Sequence, residues 1–122
     1  MDDIKQLCDT IRETAYQVHL KFLPGYLEKV YENTLAHRLS KQGLRVEQQY
    51  PITVRDEDGF VVGEYVADLF VEGAVIVELK AVTNLAPIHE VQLVNYLRAT
   101  GVRHGMLINF GSERFQCCKR IV

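Results

Sequence analysis

The sequence predicts a single α/β domain spanning residues 1–122, a mixed β-sheet flanked by helices, on three observations. Apolar residues recur at helical spacing through the first third of the chain and switch to a period of two from Leu44. Helical spacing returns once, from Pro87 to Thr100, before two further apolar stretches. The 122 residues, 48% hydrophobic and 25% charged, suffice for one core and are too few for two, with the composition of an ordinary globular domain.

Ile4, Leu7, Ile11, Ala15, Val18 and Phe22 predict a first helix from Asp3 to Phe22, which Leu23-Pro24-Gly25 breaks. A second helix follows over Tyr26–Gln42 with Gly43 just past its end, and Leu27, Val30, Tyr31, Thr34, Leu35 and Leu39 share its apolar face. Leu44–Tyr50 and Ile52–Arg55 read as strands, and Asp56-Glu57-Asp58-Gly59 as a turn. Phe60–Val71 gives one or two more strands and Ala74–Val82 another. Pro87 suits the first turn of a helix that runs to Thr100 and is closed by Gly101, with Val91, Val94 and Leu97 as its expected buried stripe. His104–Phe110 and Arg114–Val122 are the last strands, and a right-handed crossover makes the strands flanking the late helix parallel if they share a sheet.

A formal net charge of -2 excludes a strongly basic nucleic-acid coat but not a local basic groove. No apolar run approaches the roughly 20 residues of a membrane helix, and Asp2 and Asp3 stand where a secretory leader carries basic residues. The 3 cysteines are odd in number, with Cys117 and Cys118 adjacent, so a pairwise disulfide framework is not expected. The expectation is a cytoplasmic protein with reduced thiols. His19, His37, His89 and His104 form no HxxxH or HxH pair, and no CxxC is present, so zinc is not expected.

Polar residues interrupt the apolar pattern at four places. Glu28 lies at the edge of the core-facing stripe of the second helix, where a carboxylate is costly unless it reaches water, pairs with a base or serves a site. Asp68 lies inside Val66–Val71, and Asp is a poor strand residue. Glu78 and Lys80 point to one face of their strand while Val75, Val77, Leu79 and Ala81 point to the other; alone, that pattern also fits a solvent-facing ion pair. His89, Gln92 and Tyr96 share a stripe on the late helix, either a wet face or a place to hold a phosphate or a flipped base.

Register links the strand residues. If Val71 pairs with Val75 across a Glu72-Gly73-Ala74 loop, Asp68 falls opposite Glu78 on the same face; a two-residue loop would separate them. Two carboxylates side by side repel, and a divalent cation relieves the repulsion. Lys80 beside them can orient or activate a water, or stabilise developing negative charge, which suits phosphodiester hydrolysis.

Asp68 followed by Glu78-Leu79-Lys80 resembles the strand Asp and E-x-K of the PD-(D/E)XK nucleases. Glu28 resembles the additional acidic residue that many members carry on a preceding helix, and Gln92-Leu93-Val94-Asn95-Tyr96 resembles the QxxxY motif of the RecB-like branch. More narrowly, Gly25-Tyr26-Leu27-Glu28-Lys29-Val30-Tyr31 is similar to the signature of the GxxExxY protein family, as are Ala67-Asp68-Leu69, Val77–Ala81, Gln92–Gly101 and Leu107–Gly111. Ala67 stands where the superfamily pattern often has proline.

The resemblance implies a restriction-endonuclease-like core and a nuclease acting on DNA with Mg²⁺ or Mn²⁺. Glu28, Asp68 and Glu78 would hold the metal, with the Leu79 carbonyl as a further ligand. Asp68, Glu78 and Lys80 would form the catalytic set, and Gln92 and Tyr96 would position the substrate. With no second domain to read sequence, a homodimer would supply two sites for two strands. The alternative is a non-catalytic module on the same fold that binds nucleic acid or protein, which the acidic balance and the lack of a basic run favour. A purely structural protein leaves Glu28, Asp68 and Glu78 without a reason.

Overall fold

The computed structural model describes residues 3–122; Met1 and Asp2, the latter part of the reading against a secretory leader, lie outside the described residues. Eight elements follow in order: α1 (Asp3–Phe22), α2 (Glu28–Lys41), β1 (Val46–Arg55), β2 (Val61–Val71), β3 (Val75–Lys80), α3 (Pro87–Thr100), β4 (His104–Asn109) and β5 (Gln116–Ile121). One five-stranded sheet has the order β1-β2-β3-β4-β5. All neighbours are antiparallel except β3 and β4, which run parallel on either side of the α3 crossover, as a right-handed connection requires. The α/β mixed sheet is therefore as expected, with one strand fewer before α3. Leu44–Tyr50 and Ile52–Arg55 are parts of a single strand, because β1 is an edge strand and Pro51 needs no ladder partner on its open side.

The sheet separates two apolar layers. Leu69, Val71, Val75, Val77 and Leu79 pack against α1 and α2 through Ile11, Val18, Tyr31 and Leu35. On the other face Ile76, Leu107, Ile52 and Ala67 meet Leu93, Tyr96 and Leu97 of α3. The expected stripe on α3 is corrected here in part: Leu97 is buried as expected, Val91 is 51% exposed and Val94 half-buried, and Leu93 and Tyr96 join Leu97 in the core. Gly105 sets that rotation, since a Cβ there would stand 2.8 Å from Leu93 Cδ1 and 3.0 Å from Leu97 Cδ1. Tyr96 of the QxxxY stripe consequently turns into the core, with Gln92 half-buried beside it.

The second helix starts two residues later than expected, and Leu27 is 81% exposed. The cause lies in the loop before it. Tyr31 is fully buried and stacked on Phe110, with ring centroids 4.8 Å apart; its hydroxyl donates to the Leu23 carbonyl and accepts from the Tyr26 N–H at 3.1 Å. That folds residues 23–26 back over Tyr31, with Gly25 at φ 129°, and holds Tyr26 and Leu27 out of the helix. The Gly25, Glu28 and Tyr31 spacing is thus a loop device that delivers Glu28 to the first turn of α2.

The carboxyl end of β3 is clamped to β4. Asn109, fully buried, accepts from the Val82 and Gly111 N–H groups at 3.0 Å each and donates to the Val82 carbonyl at 2.8 Å. Gly111 lies so close that a Cβ would stand 2.3 Å from Ala81 C and Val82 N. The three cysteines are free, and among the described residues no helix is long and apolar enough to cross a membrane. Gly111→Ala must displace backbone at the end of β3, so it is expected to lower stability by about 3 kcal/mol or to prevent folding. Urea unfolding checks this, and a variant as stable as the parent contradicts the clamp.

Candidate active site

The candidate residues Asp68, Glu78 and Lys80 collect where β2 leaves β3. Val71 pairs with Val75, Phe70 with Ile76 and Leu69 with Val77 across the three-residue loop, the register that sets Asp68 opposite Glu78. At Asp68 the pattern changes. Ala67 packs in the α3 layer whereas Leu69 and Val71 pack in the α1/α2 layer, so the alternation of β2 breaks there, and on β1 the facing Gln49 has φ 54°. Beyond this point residues 61–67 stay paired with β1 and form a two-stranded arm that diverges from β3.

Carboxylates replace the missing ladder bonds at this fork. The Asp68 N–H donates to Glu78 Oε2 at 2.7 Å, and the Leu79 N–H donates to Asp68 Oδ2 at 2.8 Å. Each acid thus spends one oxygen on the opposite strand's backbone. Burial, then the Asp68 charge, push the Glu78 carboxyl up to about 8. Asp68 is raised by burial too, against the pull of the Leu79 N–H. The two act as a coupled pair.

Glu28 stands at the rim. Much of its side chain is exposed, yet packing on its inner side and then the Asp68 charge raise its carboxyl. Among the described residues no group of three or more His, Cys, Asp or Glu side chains closes to the spacing of a metal cluster; the structure joins Asp68 to Glu78 through their bonds to the facing backbone, with Glu28 near enough for the Asp68 charge to act on it. On the α3 side Lys80 Nζ donates to Gln92 Oε1 at 3.3 Å, and Gln92 Nε2 donates to the Tyr96 hydroxyl at 3.1 Å. Burial, then the Glu78 charge, raise the Tyr96 phenol. Lys80, Gln92 and Tyr96 therefore form one chain reaching from β3 to α3, with the carboxylates close enough to act on both of its ends.

Two partners escaped the sequence reading. Glu32, 2% exposed, accepts from Gln48 Nε2 at 2.8 Å, Gln49 Nε2 at 3.0 Å and Lys29 Nζ at 3.1 Å. Gln49 also lies close enough to Asp68 to favour its charged form, so this network reaches from α2 to the fork. The signal was available: Glu28 and Glu32 lie one turn apart on the stripe that continues through Leu35 and Leu39. His89, placed on the substrate stripe, instead accepts the Ala86 N–H at 3.0 Å through Nδ1 and caps α3.

A groove of about 740 Å³ opens from Lys80, Gln92 and Tyr96 and runs between the arm and α3. A two-layered sheet with E-x-K at the end of a central strand and an Asp on its neighbour defines a nuclease-like class of fold. The chain matches the family model of the PD-(D/E)XK nuclease superfamily over residues 5–121 and belongs to that superfamily. Among solved structures, the crystal structure of SSO0001 superposes with a TM-score of 0.60 at 17% identity over 76% of this chain, which is a likeness of fold. The chain spans 50% of that protein's length. No curated protein matches.

The raised Glu78 carboxyl has a measurable consequence in metal-free protein. A carboxyl raised by folding takes up protons in the native state, so its contribution to stability is fully present below the unfolded value of 4.5 and is lost as pH rises through about 8. Wild type is expected to lose up to a few kcal/mol between about pH 5 and pH 9 from this source. Glu78→Gln keeps an acceptor for the Asp68 N–H and removes the charge, so its melting temperature varies less with pH and exceeds that of wild type at the alkaline end. Parallel pH profiles for the two proteins contradict this.

Proposed function

We propose that the chain is a divalent-cation-dependent nuclease that hydrolyses phosphodiester bonds in DNA. The observation that carries the reading is the pair of carboxylates, Glu78 buried and Asp68 half-buried, anchored side by side at the fork, next to Lys80. The donor set suits Mg²⁺ or Mn²⁺: Asp68 and Glu78 each retain an oxygen not spent on the opposite backbone, and Mg²⁺ is commonly held by one or two carboxylates with water and substrate oxygens. The raised carboxyls point the same way, since a cation substitutes for the proton that relieves the repulsion. Glu28 would complete the set from the rim.

When bound, the cation supplies Lewis-acid stabilisation of charge on the scissile phosphate. The chain's own residues do the rest. Asp68 and Glu78 are fixed by the backbone of the facing strand, so they need no reorganisation on binding. Lys80 holds a positive charge beside them, restrained by Gln92, to orient the attacking water and to offset negative charge gathering on the phosphate oxygens. Gln92 and Tyr96 position the substrate, with Tyr96 steadying the Gln92 amide. Within the superfamily, the Gly25-Glu28-Tyr31 spacing and Gln92-Tyr96 support the GxxExxY and RecB-like assignments. The net charge of -2 favours the second reading, a non-catalytic binding module.

A gel assay on single-stranded, duplex and branched DNA with Mg²⁺ and with Mn²⁺ separates the two. Wild type is expected to cut at least one substrate, and chelation to stop it. Lys80→Ala should reduce the rate by about 10²–10³ with little change in melting temperature. For the carboxylates Asp68→Asn and Glu78→Gln are the informative changes, because Asp68→Ala would also orphan the Leu79 N–H. A wild type that cuts none of the substrates, or a Lys80→Ala protein that cuts as fast, leaves the binding module as the account.

A further inference from the structure

The groove between the arm and α3 is chemically unlike the site it leads to. Val54 and Tyr65 line it from the arm, and Ile88, Val91 and Arg98 from α3, with Lys80 at its inner end. None of its lining residues is acidic, although the whole chain carries a net charge of -2. Ile88 is 66% exposed and Val91 51%, so one wall presents apolar surface to water while Lys80 and Arg98 bring positive charge.

Tyr65 is the most specific feature of this groove. It is 51% exposed although aromatic, and its ring centroid lies 5.7 Å from that of Tyr96 at an interplanar angle of 42°. A Cβ on Gly63 would stand 3.3 Å from Tyr65 Cε2, so the ring is folded back along β2 over a position that lacks a side chain. Tyr65 is thus held on one side by Tyr96 and Gly63 and open to the groove on the other. A volume of about 740 Å³ falls within the range of ligand clefts, roughly 300–1,000 Å³.

We propose that this groove is a binding track for single-stranded nucleic acid, in which an unstacked base lies on Tyr65 while Arg98 and Lys80 take the flanking phosphates. This names the substrate form for the hydrolytic site and rests on that reading for its use. A duplex offers the groove only its sugar-phosphate rails and keeps its base faces stacked on one another. An apolar wall with an open aromatic ring complements a base face, and two cations in a groove whose lining carries no acidic residue complement the strand that carries it. Ile88 and Val91, exposed along the groove, then become the surface against which a base or sugar is desolvated.

The test is binding without cleavage. Fluorescence anisotropy in EDTA is measured with a labelled single strand of roughly 12 nucleotides and with the matching duplex. Wild type is expected to prefer the single strand. Tyr65→Ala should weaken single-strand binding by about tenfold or more, and Tyr65→Phe by no more than about twofold, since the ring face carries the stacking. Arg98→Ala, on the opposite wall, should lower the slope of log affinity against log salt by about 0.7. Melting curves establish that each variant is folded, and Arg98→Ala supplies an independent reading should Tyr65→Ala not fold.

Equal affinity for the two forms overturns the inference, as does a folded Tyr65→Ala protein that binds like wild type or an unchanged salt slope in Arg98→Ala. Failure of the hydrolytic reading looks different. Single-strand binding that depends on Tyr65, with no cleavage in Mg²⁺ or Mn²⁺, refutes catalysis and leaves the track standing.

Discussion

Two backbone N–H groups at the β2/β3 fork impose the constraint from which the site follows. Where β2 turns away from β3, the amides of Asp68 and Leu79 lose their ladder partners in a largely buried place. An unpaired buried amide costs about 1–3 kcal/mol, and each of these is satisfied by a carboxylate from the opposite strand. The solution brings two acids together. It stabilises the backbone, while burial and then the neighbouring Asp68 charge push the Glu78 carboxyl up to about 8. A sheet that kept its ladder through residue 68 would have neither the fork nor the carboxylate pair.

Every other element around the fork supports it from a different direction. From α2, Glu32 gathers Gln48 and Gln49 and so restrains the β1 backbone where Gln49 takes a positive φ. Tyr31 folds the preceding loop and sets where α2 begins, which places Glu28. From α3, Gln92 and Tyr96 hold Lys80, and Leu93 and Leu97 seat that helix over Gly105. Asn109 and Gly111 fix the chain just beyond Lys80. The arm then has a second consequence: diverging from the sheet, it opens the groove along α3.

Periodicity made most of this architecture legible. Asp3–Phe22 and Pro87–Thr100 are helices with the expected limits, and the parallel β3/β4 pair follows from the crossover. Asp68 and Glu78 were readable because their even separation turned on one choice, the three-residue loop that the structure adopts. What escaped was decided by tertiary contacts. Pro51 looked like a break because its position at the sheet edge is not written in the local sequence. The rotation of α3 depends on the missing side chain of Gly105 on the next strand, so Val91 was placed inside when it faces the groove. Glu32, on the stripe of Leu35 and Leu39, and Gln49, within a strand, were passed over, and their convergence gives them a role.

The central claim is that the carboxylate pair at the fork is a cation site, and diffraction tests it most directly. Crystals soaked in Mn²⁺ and measured for anomalous scattering at the manganese edge should show a peak within metal–oxygen bonding distance, about 2.1 Å, of both the Asp68 and the Glu78 carboxylates. The Glu78→Gln protein should lose that peak with the fork otherwise unchanged. No peak at the fork in wild type, or one that persists undiminished in Glu78→Gln, would contradict the account.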